Sequence, residues 1–289
     1  MPPEPRPPAR LAGLRRLLVL IAIAIVVFLG LLWLGQRRLI YFPSRDVLDP
    51  ALLGLARVQQ ACFTADDGVA LAGWYLPASG APRDLSALVC HGNAGNVSDR
   101  THLLAALSSA GLDVLVFDYR GYGQSGDASP TEDGLYADGR AALAWLERTT
   151  GRPAARTVLY GESLGTAVCV ELARDQPPYA LVLESPFTSL PDAAAASNPW
   201  LPVRLLLRDR YDSLAKIGAV RAPLLVMHGT ADRIVPFEQG RKLCEAAGGA
   251  HQLIAVQGAD HNEVWMDVEA RRKDVVAFLD GIGAPAAGR

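Results

Sequence analysis

The hydrophobic positions of the chain form one long unbroken run near the N-terminus and, after it, many short runs separated by polar or helix-compatible stretches. The unbroken run covers residues 17–34 and would measure about 27 Å as a helix, close to the hydrocarbon thickness of a bilayer. A cleaved signal peptide is the alternative, but its apolar region is shorter and precedes small residues, whereas Gln36, Arg37 and Arg38 follow here. The run therefore predicts an uncleaved membrane signal anchor.

Basic residues lie on both sides of this predicted span. Arg6, Arg10, Arg15 and Arg16 precede it, and Arg37, Arg38 and Arg45 follow it. The positive-inside rule favours a cytoplasmic N-terminus by a small margin, with the rest of the chain outside the cytoplasm. We divide the chain into a basic, proline-rich segment (residues 1–16), the anchor (17–34), a juxtamembrane linker (35–57) and one globular domain (58–289).

The short runs of the globular domain predict an α/β fold. Residues 61–64 and 69–76 flank Asp66-Asp67-Gly68, a hairpin turn between two antiparallel strands. Buried-strand runs then alternate with helix-compatible stretches, which predicts a mostly parallel sheet covered by helices on both faces. The later strands are predicted at residues 85–90, 111–117, 156–160, 179–184, 223–228 and 252–256.

Residues 185–218 form the longest stretch without a strand pattern, and four prolines interrupt it. Long insertions at a sheet edge are usually functional or flexible, so we predict a short cap over a pocket. Trp200 and Leu201 in its apolar centre are then candidates to contact an acyl group. A surface helix packed on the core is the alternative.

Composition narrows the class of protein. With 289 residues, 50% hydrophobic and 20% charged, the chain can bury one substantial core. A formal net charge of −2 does not favour a nucleic-acid partner, because nucleic-acid-binding domains usually carry a strongly basic surface. The four cysteines are scattered without a C-x-x-C pair, which favours core packing over disulfides or a metal site.

The sequence VLYGESLG at residues 158–165 joins a strand-like run to a helix-like run through G-x-S-x-G. This is the pattern of a nucleophile elbow, a sharp turn that exposes its serine, and it makes Ser163 the candidate nucleophile. The turn puts the serine backbone in a sparsely populated region, so the flanking glycines avoid clashes between strand and helix. A serine that only caps the helix is the alternative.

A serine hydroxyl needs a histidine to take its proton and a carboxylate to orient that histidine. In this architecture the acid and the histidine follow the serine in that order. Asp232 lies just beyond the strand at residues 223–228, and His261 lies in the last strand-to-helix loop. Asp209 and Asp212 are weaker rivals because they belong to the predicted cap.

Two glycine-rich turns complete the candidate site. The turn at residues 91–96 follows a strand, and we assign the oxyanion donors to the backbone N–H groups of Asn93, or alternatively Ala94, and of Leu164. The turn at residues 121–126 matches G-x-G-x-x-G, the pattern of a dinucleotide-binding turn. In that motif a helix begins directly at the glycines, whereas here the next helix is predicted to begin only near residue 131, so we reject a dinucleotide-binding site. We interpret it as a loop at the pocket rim, with Tyr122 as a candidate substrate contact.

Six motifs occur in order along the chain: HGNAGN (91–96), DYRGYGQSG (118–126), YGESLG (160–165), ESPFTS (184–189), HGTADRIVP (228–236) and GADHN (258–262). Together they resemble the motifs of the α/β-hydrolase superfamily, and more narrowly those of its bud-emergence-related branch of membrane-anchored alpha/beta-hydrolase-domain proteins, close to the serine aminopeptidase and prolyl-oligopeptidase-like group. The resemblance implies the α/β-hydrolase fold and a Ser-His-Asp triad. It does not specify the substrate, because the branch includes thioester hydrolases, lipid hydrolases and many proteins of unknown activity.

We therefore expect a membrane-anchored hydrolase of carboxylic esters or thioesters with a small-molecule, lipid or acyl substrate. A peptidase or amidase on the same triad and a non-catalytic, anchored interaction protein remain alternatives. We expect no metal and no organic cofactor.

Overall fold

The computed structural model describes residues 9–282, with side chains from residue 13 onward. Its centre is an eight-stranded sheet with the strand order β10-β9-β8-β7-β4-β6-β3-β2. These strands are β2 (Gln59–Thr64), β3 (Ala70–Leu76), β4 (Leu85–Cys90), β6 (Leu112–Phe117), β7 (Thr157–Glu162), β8 (Ala180–Glu184), β9 (Leu224–Gly229) and β10 (His251–Val256). The pairs from β10 to β6 are parallel, and β3 pairs antiparallel with both β6 and β2. The predicted mostly parallel sheet with an antiparallel hairpin is confirmed.

Helices cover both faces of this sheet. They are α3 (Thr101–Ser109), α4 (Glu132–Thr150), α5 (Leu164–Asp175), α9 (Phe237–Glu245) and α10 (Val268–Ile282). Alternate residues of β4 point to opposite faces, so Leu88 belongs to one hydrophobic cluster and Val89 to the other. The first cluster includes residues of α4, α5 and α9, and the second includes residues of α3 and α10. Both faces of the sheet are therefore buried, as continuous apolar strands require.

The N-terminal apolar run folds as one helix, α1 (Ala9–Gly35). Its portion Gly13–Gly35 is 23 residues long with a mean hydropathy of 3.2, and none of its most apolar window is buried. By length and composition this helix can cross a membrane.

The segment after α1 has short elements of its own. Helix α2 (Arg37–Ile40) leads into strand β1 (Phe42–Pro43), which pairs in parallel with β5 (Ala94–Gly95). This pairing brings the chain that follows the apolar helix against the glycine-rich turn after β4.

Residues 185–218, the segment predicted to be a cap, contain three short helices. They are α6 (Leu190–Ser197), α7 (Val203–Leu206) and α8 (Ser213–Ile217). Ser189 caps α6 by accepting the N–H of Asp192. Helix α7 contacts α1, so this segment, for which we keep the name cap, lies against the apolar helix.

Candidate active site

Ser163 lies in the sharp turn between β7 and α5, with φ 49° and ψ −111°. A Cβ on Gly165 would lie 1.9 Å from the carbonyl oxygen of Cys90, and one on Gly161 would lie 2.6 Å from Cα of Thr166. Only glycine allows strand and helix to approach this closely. The turn therefore holds Ser163 in a strained conformation, a feature that concentrates at functional sites.

His261 and Asp232 lie in line with the hydroxyl of Ser163. The Nε2 atom of His261 is 2.9 Å from Oγ of Ser163, and its Nδ1 is 2.7 Å from Oδ2 of Asp232. A carboxylate only accepts hydrogen bonds, so Nδ1 of His261 carries the proton and Nε2 is free to accept the serine proton. The structure thus brings together the three residues proposed from the sequence.

Asp232 is surrounded by hydrogen-bond donors. Its Oδ1 accepts the N–H groups of Ile234 at 2.9 Å and Val235 at 2.8 Å. Its Oδ2 lies 2.7 Å from His261 and 3.1 Å from Nε2 of His228. Burial raises the pKa of Asp232, but the hydrogen bonds from His228 and His261 outweigh it and hold the pKa well below its usual range.

His228 is a second histidine on the same carboxylate. Its Nε2 also lies 2.9 Å from the carbonyl oxygen of Val235, which can only accept, so Nε2 is the protonated nitrogen. Its other face lies against α9, where a Cβ on Gly240 would be 2.1 Å from Nδ1. The sequence analysis did not identify this contact between His228 and Asp232.

The two predicted oxyanion donors both line the cavity next to Ser163. Among residues 9–282, no acceptor takes the N–H of Asn93 or that of Leu164, the first residue of α5. The backbone of Asn93 is held on its C-terminal side, because its carbonyl oxygen accepts from the N–H of Phe42 at 2.9 Å and from the hydroxyl of Tyr122 at 2.8 Å. Strand β1 and Tyr122 therefore position the loop that carries Asn93.

An ion pair that the sequence did not suggest lies beside the elbow. Arg100 donates to both carboxylate oxygens of Glu162, each at 2.9 Å, and to the carbonyl oxygen of Ala94 at 3.0 Å. Burial raises the pKa of Glu162, but the charge and hydrogen bonds of Arg100 outweigh it and lower the pKa overall. Arg100 thereby connects the residue before Ser163 with the residue after Asn93.

A cavity of about 680 Å³ extends from these residues under the cap. Its reactive end contains Ser163 and His261, and its apolar walls come from α6 and α7 and from the chain between Leu32 and Phe42. Of the three predicted substrate contacts, Leu201 lines this cavity. Trp200 is 70% exposed, and Tyr122 is buried behind the loop of Asn93, so neither belongs to the lining.

Hydrogen bonds and an ion pair join the end of α1 to the cap. Gln36 donates to the carbonyl oxygen of Leu206 at 3.2 Å and accepts the N–H of Arg208 at 2.7 Å. Asp209, considered from the sequence as a rival acid, instead pairs with Arg37 at 3.1 Å and accepts the hydroxyl of Tyr41 at 3.0 Å. We call these contacts the helix–cap junction.

Comparisons with known proteins agree with this architecture. The family model for serine aminopeptidase, S33, matches residues 81–211. The chain is 44% identical over 247 residues to the uncharacterized protein Rv2307c of Mycobacterium tuberculosis, covering 86% of both chains. It is 30% identical over 262 residues to the lysophosphatidylserine lipase ABHD12 of Danio rerio, covering 77% of this chain and 67% of that protein.

Among solved structures, the Pyrococcus furiosus esterase Pf2001 superposes with a TM-score of 0.71 at 21% identity, covering 85% of this chain and 98% of that chain. Similarity at this identity supports the fold, and the relatives with higher identity over most of the chain support the family. The chain belongs to the α/β-hydrolase superfamily of hydrolytic enzymes.

Proposed function

We propose that this protein is a serine hydrolase of carboxylic esters or thioesters, held at a membrane by α1, with its catalytic domain on the extracytoplasmic side. The observation that carries the proposal is the hydrogen-bonded series of Ser163, His261 and Asp232 at one end of an apolar cavity. The apolar walls suit the acyl part of a substrate.

The reaction begins when Nε2 of His261 accepts the proton of Ser163 and Oγ attacks the carbonyl carbon. Asp232 stabilises the imidazolium, and the N–H groups of Asn93 and Leu164 stabilise the oxyanion. The bond to the alcohol or thiol breaks as His261 returns the proton to that group. A water molecule, deprotonated by His261, then attacks the acyl carbon. The bond to Oγ of Ser163 breaks as His261 returns that proton to Oγ, which releases the acid and restores the free hydroxyl.

An aminopeptidase or amidase on the same three residues is the second candidate, because the matching family model is described as a serine aminopeptidase. Recognition of a free α-ammonium group calls for an unpaired acidic side chain. Among the described residues that line the cavity, Glu162 is the only carboxylate, and it is paired with Arg100. This pairing favours the ester or thioester candidate.

Fluorophosphonate labelling of the full-length protein in detergent tests the proposal. We expect the wild type to label and Ser163→Ala not to label, with ester hydrolysis lower by about 10⁴-fold or more in the variant. Ser197→Ala is the matched control, since Ser197 also lines the cavity. A folded wild type that does not label, or Ser163→Ala that labels equally, would contradict the proposal and favour an anchored interaction protein. A matched ester and amide pair separates the two enzymatic candidates.

A further inference from the structure

The last turns of α1 present two different faces. Leu29 and Leu32 are half-buried and Gln36 is buried, and their spacing of three and four residues puts them on one side of the helix. Leu31 and Leu34, between them in sequence, are 64% and 72% exposed. A uniformly apolar helix surrounded only by lipid would have no such buried side.

The buried side faces the cavity and the cap. Leu32 and Gln36 line the same cavity that contains Ser163, and Leu206 of α7 lines it from the cap. This cavity of about 680 Å³ lies within the range of ligand-binding pockets, about 300–1,000 Å³. Its volume is therefore partly defined by residues of the apolar N-terminal helix.

The helix–cap junction holds this wall in place. Both polar atoms of the Gln36 side chain are hydrogen-bonded to cap backbone, at Leu206 and Arg208. The guanidinium of Arg208 also lies 4.9 Å from the ring centre of Trp33. These contacts fix the rotation of α1 about its axis, so that Leu32 and not Leu31 faces the cavity.

We propose that the end of α1 is one wall of the acyl-binding cavity and that Leu32 limits the length of the acyl chain that the enzyme accepts. The substrate is an ester or thioester of an unbranched long-chain acyl group whose carbonyl lies at Ser163 and whose tail lies between α1 and the cap. This inference rests on the proposed function, because it requires Ser163 to be the nucleophile. It gives the apolar helix a role in specificity in addition to anchoring.

A series of p-nitrophenyl esters (butyrate, octanoate and palmitate) tests the wall in full-length, detergent-solubilised protein. Leu32→Trp places a larger side chain in the cavity and so shortens the space for the acyl chain of the substrate. Each methylene group of the acyl chain that loses its apolar contact lowers kcat/KM by about fourfold. We expect the palmitate-to-butyrate ratio of kcat/KM to fall by about tenfold or more. Leu32→Ala should raise the ratio, which keeps the test informative if tryptophan disturbs folding.

Leu31→Trp is the matched control, because it makes the same change one residue earlier on the exposed side of α1. An equal effect of Leu31→Trp, or an unchanged ratio in both Leu32 variants, would overturn the inference. Fluorophosphonate labelling of each sample shows whether a negative result contradicts only the role of Leu32 or also the proposed serine-hydrolase function. If the variants are labelled and active but keep the wild-type palmitate-to-butyrate ratio of kcat/KM, only the role of Leu32 is contradicted. If the wild-type protein is folded but is not labelled, the proposed function itself is contradicted.

Discussion

The guanidinium of Arg100 donates two hydrogen bonds of 2.9 Å to the carboxylate of Glu162. Glu162 immediately precedes Ser163, and the same guanidinium contacts Ala94, which immediately follows Asn93. The ion pair therefore joins the two chain segments whose N–H groups are the proposed oxyanion donors. Preorganised donors stabilise a developing charge only if their positions are fixed.

Arg100→Lys should lower kcat by about 10- to 100-fold with a smaller change in KM, because lysine cannot form the bidentate contact. The measurement is steady-state ester hydrolysis together with the rate of fluorophosphonate labelling. Arg241→Lys is the control, since Arg241 pairs with Glu238 on the exposed surface of α9. If Arg100→Lys retains the wild-type kcat, the ion pair does not position the oxyanion donors.

His228→Phe should reduce kcat/KM by about tenfold, because Asp232 loses one donor and the carbonyl of Val235 loses its partner. Phenylalanine keeps an aromatic ring against Gly240 but cannot donate a hydrogen bond. His251→Phe is the comparison, since His251 is exposed at the start of β10. Equal activity of His228→Phe and wild type would show that the contact with His261 alone orients the carboxylate.

The sequence was sufficient to predict the sheet and the sharp turn at Ser163, and the structure places His261 and Asp232 beside that serine. Each of these depends on local patterns: apolar strand-like runs, glycines where backbones approach, and polar residues just beyond strand ends. The strand boundaries differ from the prediction by at most two residues at either end, as at β2 and β7.

Contacts between segments distant in sequence could not be predicted. Arg100 and Glu162 are separated by 62 positions, and no local pattern pairs them. Leu32 lies inside an unbroken apolar run, in which one face cannot be distinguished from another by hydropathy. Gln36 was a possible signal, because a polar side chain at the end of such a run needs partners, and it finds them in the cap.

Gln36→Leu should destabilise the helix–cap junction by about 1–3 kcal/mol, because the N–H of Arg208 and the carbonyl of Leu206 lose their side-chain partner. We expect faster proteolysis of the cap and a Tm lower by about 2–8 °C in the same detergent. Arg38→Leu, at a neighbouring exposed position, should change neither. A cap equally resistant in both variants would show that Gln36 does not secure the junction.

Glu184 lies under the elbow, where its backbone carbonyl accepts the N–H of Ser163 at 2.9 Å and its carboxyl accepts the hydroxyl of Tyr160 at 2.6 Å. Burial, followed by the charge of Glu162, raises the pKa of Glu184 from 4.5 to about 8, although hydrogen bonds and the charge of Arg100 oppose the increase. The side chain is therefore largely neutral in the folded protein at neutral pH.

The raised pKa of Glu184 predicts a stability that falls as the pH rises. Between about pH 4.5 and pH 8 the folded state binds more protons than the unfolded state, so the free energy of unfolding decreases across this window.

Glu184→Gln removes the titrating group while its amide oxygen can still accept from Tyr160. We expect the variant to gain stability relative to the wild type from pH 5 to pH 9, by an amount on the order of a few kcal/mol. Urea unfolding at both pH values measures this difference. Asp118, whose pKa burial raises to about 7, stays in both proteins, so some pH dependence remains in the variant. Parallel stability curves for the two proteins would mean that Glu184 ionises normally, with solvent or the backbone compensating its charge.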